Sequence, residues 1–210
     1  MQRLLDRAAL VALPLLLAAI VLPPLSRAAG HLFAAHMIQH LLLIAVAAPL
    51  LALTSFGRRL SSWLKPATAW TLFVCVFLIW HWPLLFRWAA LSEPTRLFEL
   101  FSILAAASLF WSVALAPPQR AQLSAGAAAL YVMTAAIATD LPGVIMIFAP
   151  TAICTMPQEQ AGLWGLTPLA DQQLAGLFMW VPANLVFFSI ALVLFARWMS
   201  DGPSQGLVTS

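Results

Sequence analysis

Six stretches of this sequence are long and apolar enough to cross a lipid bilayer: residues 8–25, 34–54, 68–90, 97–116, 123–148 and 169–198. A crossing helix needs about 20 predominantly apolar residues. Inside hydrocarbon, each backbone N–H and C=O must find its partner within the structure, and a helix provides this along its whole length. Composition agrees. The 210 residues are 63% hydrophobic and 8% charged, with a mean hydropathy of +0.95, whereas a soluble domain carries about 25% charged residues. The sequence predicts an all-α, polytopic transmembrane bundle of about six helices. No hydrophilic stretch could form a second domain, so residues 1–210 are read as one membrane-embedded unit.

Proline marks the connections, at Pro23-Pro24, Pro66, Pro94, Pro117-Pro118, Pro150 and Pro157. The last helix has a clear start in "LTPLADQQ", where Thr167 can cap, Pro168 fits the first helical position and Asp171 falls in the first turn. Arg3 and Arg7 ahead of an apolar run, with "SRAAG" after it, have the outline of a signal peptide. Arg27 suits a cleavage site poorly, and a retained first helix is the expectation.

Charge sets the expected orientation. Arg3, Arg7, Arg58, Arg59, Lys65, Arg120 and Arg197 belong to the N-terminal side, against Arg27, Arg87 and Arg96 on the other, where Glu93, Glu99, Glu159 and Asp171 dilute them. Positive charge accumulates in cytoplasmic connections, so both termini are expected there. Ten basic residues in 210 are too sparse for a nucleic-acid surface. Cys75 and Cys154 make no disulfide framework.

This orientation collects the chemistry on the outer face. His31, His36 and His40 begin the second helix, His81 ends the third and Glu99 begins the fourth. Asp140 lies in the outer half of the fifth, Cys154 and Met156 in the loop after it, and Asp171, Gln172 and Gln173 open the sixth. In "HMIQH", His36 and His40 are one turn apart on one face, with Met37 beside them and Gln39 between. Such a pair can supply two ligands to a metal, and a thioether nearby biases the site towards Cu(I). The competing reading is hydrogen bonding across helix interfaces or a place in the headgroup zone.

Other features carry two readings each. His81, in "IWHWPLL", is a third ligand from a neighbouring helix, or part of an interfacial belt with Trp80 and Trp82, with Pro83 loosening the helix end. Cys154 and Met156, in "CTMPQE", are a soft pair for Cu(I), or an ordinary loop. Asp171 fits a helix N-terminus through the dipole, while Gln172 and Gln173 beside it suggest bonds that orient a histidine ligand. Gln172, Gly176 and Met179 share a face on which Gly176 would admit another helix closely. Asp140, the most intramembrane charge, is functional, or serves backbone groups freed where Pro142-Gly143 breaks the helix. No phosphate-binding glycine loop, HExxH motif or serine nucleophile elbow occurs in the sequence.

In order, several stretches resemble the CtaG-type cytochrome c oxidase assembly factors. They are "HMIQHLLLIAVAAPLLAL" at 36–53, the His-x-Pro element of His81 and Pro83, "RLFELFSILAAASLFWSVAL" at 96–115, and "LTPLADQQLAGLFMWVPANLVFF" at 166–188. The last is the most specific, matching Pro-x-x-Asp-Gln-x-x-Gly followed by Met-Trp-x-Pro. Two departures stand out. The family commonly has Glu-His where this chain has Glu99-Leu100, and Ala149-Pro150 leads into "TAICTMPQE" rather than an aromatic stretch. Cys154 and Met156 are candidates to replace the absent histidine. Many members carry a further helix, so the chain resembles a shortened form.

The resemblance implies maturation of haem–copper oxidases in the bacterial plasma membrane, through insertion of copper, with oxidase subunits and periplasmic copper chaperones as partners besides the lipid bilayer. On this reading His36, His40 and His81 hold Cu(I) transiently, aided by Met37, Cys154 or Met156. Gln39, Glu99, Asp140, Asp171 and Gln172 orient them or dock the oxidase, and no bond-making turnover is needed. Two other functions stay open: a metal-free structural subunit or insertion chaperone, and a haem-binding electron carrier with His36 or His40 opposite His81 as axial ligands.

Overall fold

The computed structural model describes residues 2–60, 64–156 and 160–200, and every regular element among them is helical. The first apolar run forms α1 (Gln2–Val21) and α2 (Leu25–His31). Together, Asp6–His31 makes one span. The second run is α3 (Phe33–Leu42), a π-helical turn at Leu43–Ala47, and α4 (Ala48–Ala52). Pro49 explains the irregularity, because its ring displaces the carbonyl a turn earlier and it has no N–H to offer. Nearby, the carbonyl of Ile44 accepts from the indole Nε1 of Trp111 at 2.7 Å. A short α5 (Ser55–Leu60) follows.

The expected third helix, 68–90, is not continuous. It is α6 (Pro66–Trp80) and α7 (Pro83–Leu91), bent by 72° at His81 and Trp82. Trp82 takes extended backbone (ψ 128°), as a residue before proline prefers, and Pro83 opens α7. Trp80 also departs from the belt reading. It is buried and donates its indole N–H to the Ser102 hydroxyl at 2.8 Å, while Trp82 stays exposed.

Three long helices complete the bundle: α8 (Glu93–Ala114), α9 (Ala125–Phe148) and α10 (Pro168–Ser200). Pro94 lies in the first turn of α8 rather than before it. α9 runs through Pro142 unbroken, against the expected local break. Five helices are long and apolar enough to cross a membrane, and α6 with α7 makes a sixth if the bent pair is one span. α9 and α10 pack tightly where Gly143 meets Gly176. A methyl group on Gly176 would stand 2.7 Å from the Gly143 carbonyl oxygen, so close approach depends on glycine there. Below the histidines the core is aromatic, with Phe110 stacked on Tyr131 (4.7 Å, 12°) and Trp111 against Phe187 (4.9 Å).

Candidate metal centre

The site begins with how α3 starts. Leu32 precedes its first turn in extended conformation and has no side chain able to cap it. The cap comes from α10. The Asp171 carboxylate accepts from the backbone N–H of Phe33 (2.7 Å) and of Ala34 (3.0 Å). α10 is itself capped by Thr167, whose hydroxyl accepts from the Ala170 N–H at 3.1 Å. One carboxylate is therefore held in the first turn of one helix and caps another, where both dipoles favour its charge. Asp171 thus sits at a helix N-terminus, as its sequence position suggests, but the N–H groups it accepts from belong to α3 as well as lying beside its own helix start. It fixes the backbone from which the histidines project.

Glu99, from the second turn of α8, enters between the two histidines. Its Oε1 lies 3.3 Å from His36 Nε2 and 3.4 Å from His40 Nε2. One ligand atom from each of the three residues falls within 4.8 Å of the others. His36 and Glu99 are fully buried and His40 is 2% exposed. The i,i+4 spacing sets the two imidazoles 4.6 Å apart, centroid to centroid.

The bend after α6 brings the rest. His81 is the last residue on α6's path, with its ring 5.4 Å from that of His40 and stacked 4.0 Å from Phe77. Its Nδ1 is 2.7 Å from the Phe77 carbonyl oxygen. A carbonyl can only accept, so Nδ1 carries the proton and Nε2 keeps a free lone pair. Beyond the bend, Phe86 of α7 sets its ring edge-on to His36 at 5.5 Å.

Several buried atoms here have no hydrogen-bond partner: His36 Nδ1, His40 Nδ1 and Nε2, His81 Nε2 and Glu99 Oε2. An unsatisfied buried polar group costs about 1–3 kcal/mol. Gathering so many in one place fits a cation-binding site better than a structural core. Imidazoles suit copper, zinc or iron, and one carboxylate supplies a single negative charge.

The family model of the cytochrome c oxidase caa3 assembly factors, Caa3_CtaG, matches residues 7–201. The chain belongs to this family. No curated protein and no solved structure matches it.

The remaining candidates in this Caa3_CtaG protein take other places. Gln172 holds the loop after α9, not a histidine. Its Oε1 accepts from the N–H of Ile153 and Cys154 (2.5 and 2.9 Å), and its Nε2 donates to the Met146 carbonyl at 3.1 Å. Gln173 donates to the Ile147 carbonyl at 3.2 Å. Gln39 turns to α1 and donates to the Ile20 carbonyl. Asp140 pairs with Asn184 of α10, whose amide donates to Oδ1 at 2.8 Å, instead of serving freed backbone groups. Met37, Cys154 and Met156 are buried in the main core. Among the described residues, Cys154 is not in the group able to share a metal with His36, His40 and Glu99. The end of "CTMPQE", residues 157–159, lies outside the described residues.

Burial pushes the Cys154 thiol up to about 11. Alkylating reagents attack the thiolate, so roughly two units of displacement leave about a hundredfold less reactive species at neutral pH. In a Cys75→Ala background, maleimide labelling of Cys154 is expected to be about a hundredfold slower than that of an exposed thiol at pH 7.5. Its rate should rise about tenfold per pH unit up to about pH 11. Rapid labelling that plateaus near pH 9 contradicts the burial argument. Sequence reasoning read Glu99 as a supporting residue and passed over Asn184. A carboxylate at the same depth as three histidines was the available signal for the first.

Proposed function

We propose that this Caa3_CtaG protein assists assembly of a cytochrome c oxidase by holding Cu(I) at His36, His40 and Glu99, with His81 Nε2 as a further donor, and releasing it to an oxidase subunit. The observation that carries this is the meeting of three buried ligand side chains, His36, His40 and Glu99, able to share one ion, with the unpartnered Nε2 of His81 on a ring 5.4 Å from that of His40. Charge supports the monovalent ion. Cu(I) beside one carboxylate makes a neutral site, whereas a divalent ion leaves a net charge in a low-dielectric interior. The positive-inside bias of the basic residues puts the site towards the periplasmic side of the plasma membrane, where periplasmic copper chaperones could load it. Holding and releasing an ion by ligand exchange requires no bond-making turnover in the protein.

Burial weighs against the metal-free docking role, since side chains with at most 2% exposure offer no surface to an oxidase. A haem carrier needs a pocket of several hundred Å³, and the cavity against His40 measures about 30 Å³. The test is anaerobic Cu(I) titration of purified protein against a coloured competing chelator, with Zn²⁺ in parallel. The wild type is expected to take one equivalent of copper in preference to zinc. Glu99→Gln, which keeps the shape and removes the charge, is expected to weaken copper binding about tenfold to a hundredfold. A wild type that takes up no copper, or prefers zinc, sinks the reading.

A further inference from the structure

The 30 Å³ cavity against His40 lies where α3, the π turn, α6, α9 and α10 meet. Its polar or sulfur-bearing lining residues are His40, Thr139, Asp140, Met179 and Asn184, and Phe77 and Phe187 form part of its apolar wall. It has room for one water or one ion. The Asn184 amide donates to Asp140, which also takes a side-chain hydrogen bond from Trp180. That leaves Asn184 Oδ1, on a residue 9% exposed, without a partner, and His40 Nδ1 is likewise unpartnered. One small cavity is thus lined by two residues that each hold an unsatisfied polar atom, by a thioether and by a carboxylate.

We propose that this cavity is a second copper station, through which the ion leaves the histidine cluster sideways within the bilayer. The proposal rests on the copper reading above. His40 is common to both positions: its Nε2 faces Glu99, and the same ring lines the cavity. Met179 provides the soft donor that Cu(I) prefers, Asp140 balances its charge, and Asn184 Oδ1 and Thr139 complete a weak oxygen set. Transfer exchanges one donor for another at constant oxidation state, with no electron moved. A station of mixed thioether and oxygen donors binds less firmly than imidazoles, which suits an intermediate that must let go.

The flank of the bundle explains the direction. Asp140 is half-buried, and its neighbours on α9, Ile137 and Leu141, are 65% and 58% exposed. Val181 and Leu185, on the stretch of α10 that lines the station, are also exposed. An ionisable side chain within a membrane-spanning helix is costly and points to an ion path by default. The recipient is therefore a membrane-embedded partner presenting imidazole or thioether side chains, docked on the flank where half-buried Asp140 comes to the surface beside Ile137 and Leu141.

Copper-loaded protein in nanodiscs tests this with two Cu(I) chelators of similar affinity. One is lipid-soluble, and the other is sulfonated and confined to water. Wild type is expected to yield copper at least tenfold faster to the lipid-soluble chelator. Met179→Leu and Asp140→Asn are expected to slow that route about tenfold and bring the two rates together. Equal rates in the wild type overturn the proposal without any variant, so misfolding of a variant cannot protect it. Variants that bind copper and release it like the wild type overturn it also. A wild type that binds no copper overturns this proposal and the copper reading together, whereas firm binding without preference for the lipid-soluble chelator overturns this one alone.

Discussion

Replacing both histidines, His36→Ala with His40→Ala, is expected to lower copper affinity by on the order of a hundredfold or more and to abolish oxidase maturation. Removing an outer partner of a metal ligand already costs about 10–100-fold, and here two ligands go at once. The double variant has a second defect. Glu99, fully buried, loses the only two side chains within ion-pair distance of its Oε1 among the described residues. A buried polar group left without its partners costs about 1–3 kcal/mol, and more when it is charged, so the variant is expected to be less stable as well. A triple variant carrying Glu99→Gln separates the two effects. It should recover most of the stability, read by thermal unfolding in detergent, and still bind no copper. Full copper binding by either variant, measured as metal per chain after gel filtration, contradicts the assignment of these residues as ligands.

The next largest effect is expected at Asp171, whose carboxylate is taken up by backbone N–H groups of α3. Asp171→Ala leaves two buried backbone N–H groups at the start of α3 without an acceptor. Loss of a charged cap of this kind is worth about 2–4 kcal/mol. Asp171→Asn keeps one carbonyl oxygen and is expected to retain about half of that. The defect should be local before it is global. Hydrogen exchange at Phe33 and Ala34 should quicken first, and copper affinity should fall with it, because His36 follows within the same turn. Unchanged exchange at those two amides in Asp171→Ala means that the cap does not hold α3.

These two cases also show what the sequence could and could not disclose. The His36–His40 pair was legible because helical spacing is local: four residues put two rings on one face, and they lie 4.6 Å apart. The spans were legible for the same reason, since hydropathy acts on each stretch separately. The role of Asp171 was not, because its partners are 137 and 138 residues away in the chain, and nothing local distinguishes a carboxylate that caps its own helix from one that caps another. Pro83 announced a disturbance near His81 but not a 72° bend, whose size depends on what α7 packs against. Glu99 was legible as a carboxylate at the right depth. That one of its oxygens would face both histidines depends on how α8 and α3 pack.

The π-helical turn at Leu43–Ala47 has a consequence for how such a site can evolve. A π turn is an α-helix carrying one residue too many, and each residue turns a helix by about 100°. Two halves of one span are thereby released from a common phase. The half bearing "HMIQH" can face Glu99 and His81 while the half beginning at Pro49 keeps the angle its own neighbours require. Side chains in the lower half can drift without rotating the imidazoles, and the imidazoles can be retuned without unpacking the base of the bundle. The surplus residue acts as a swivel between the half of the span that carries the imidazoles and the half that carries the packing.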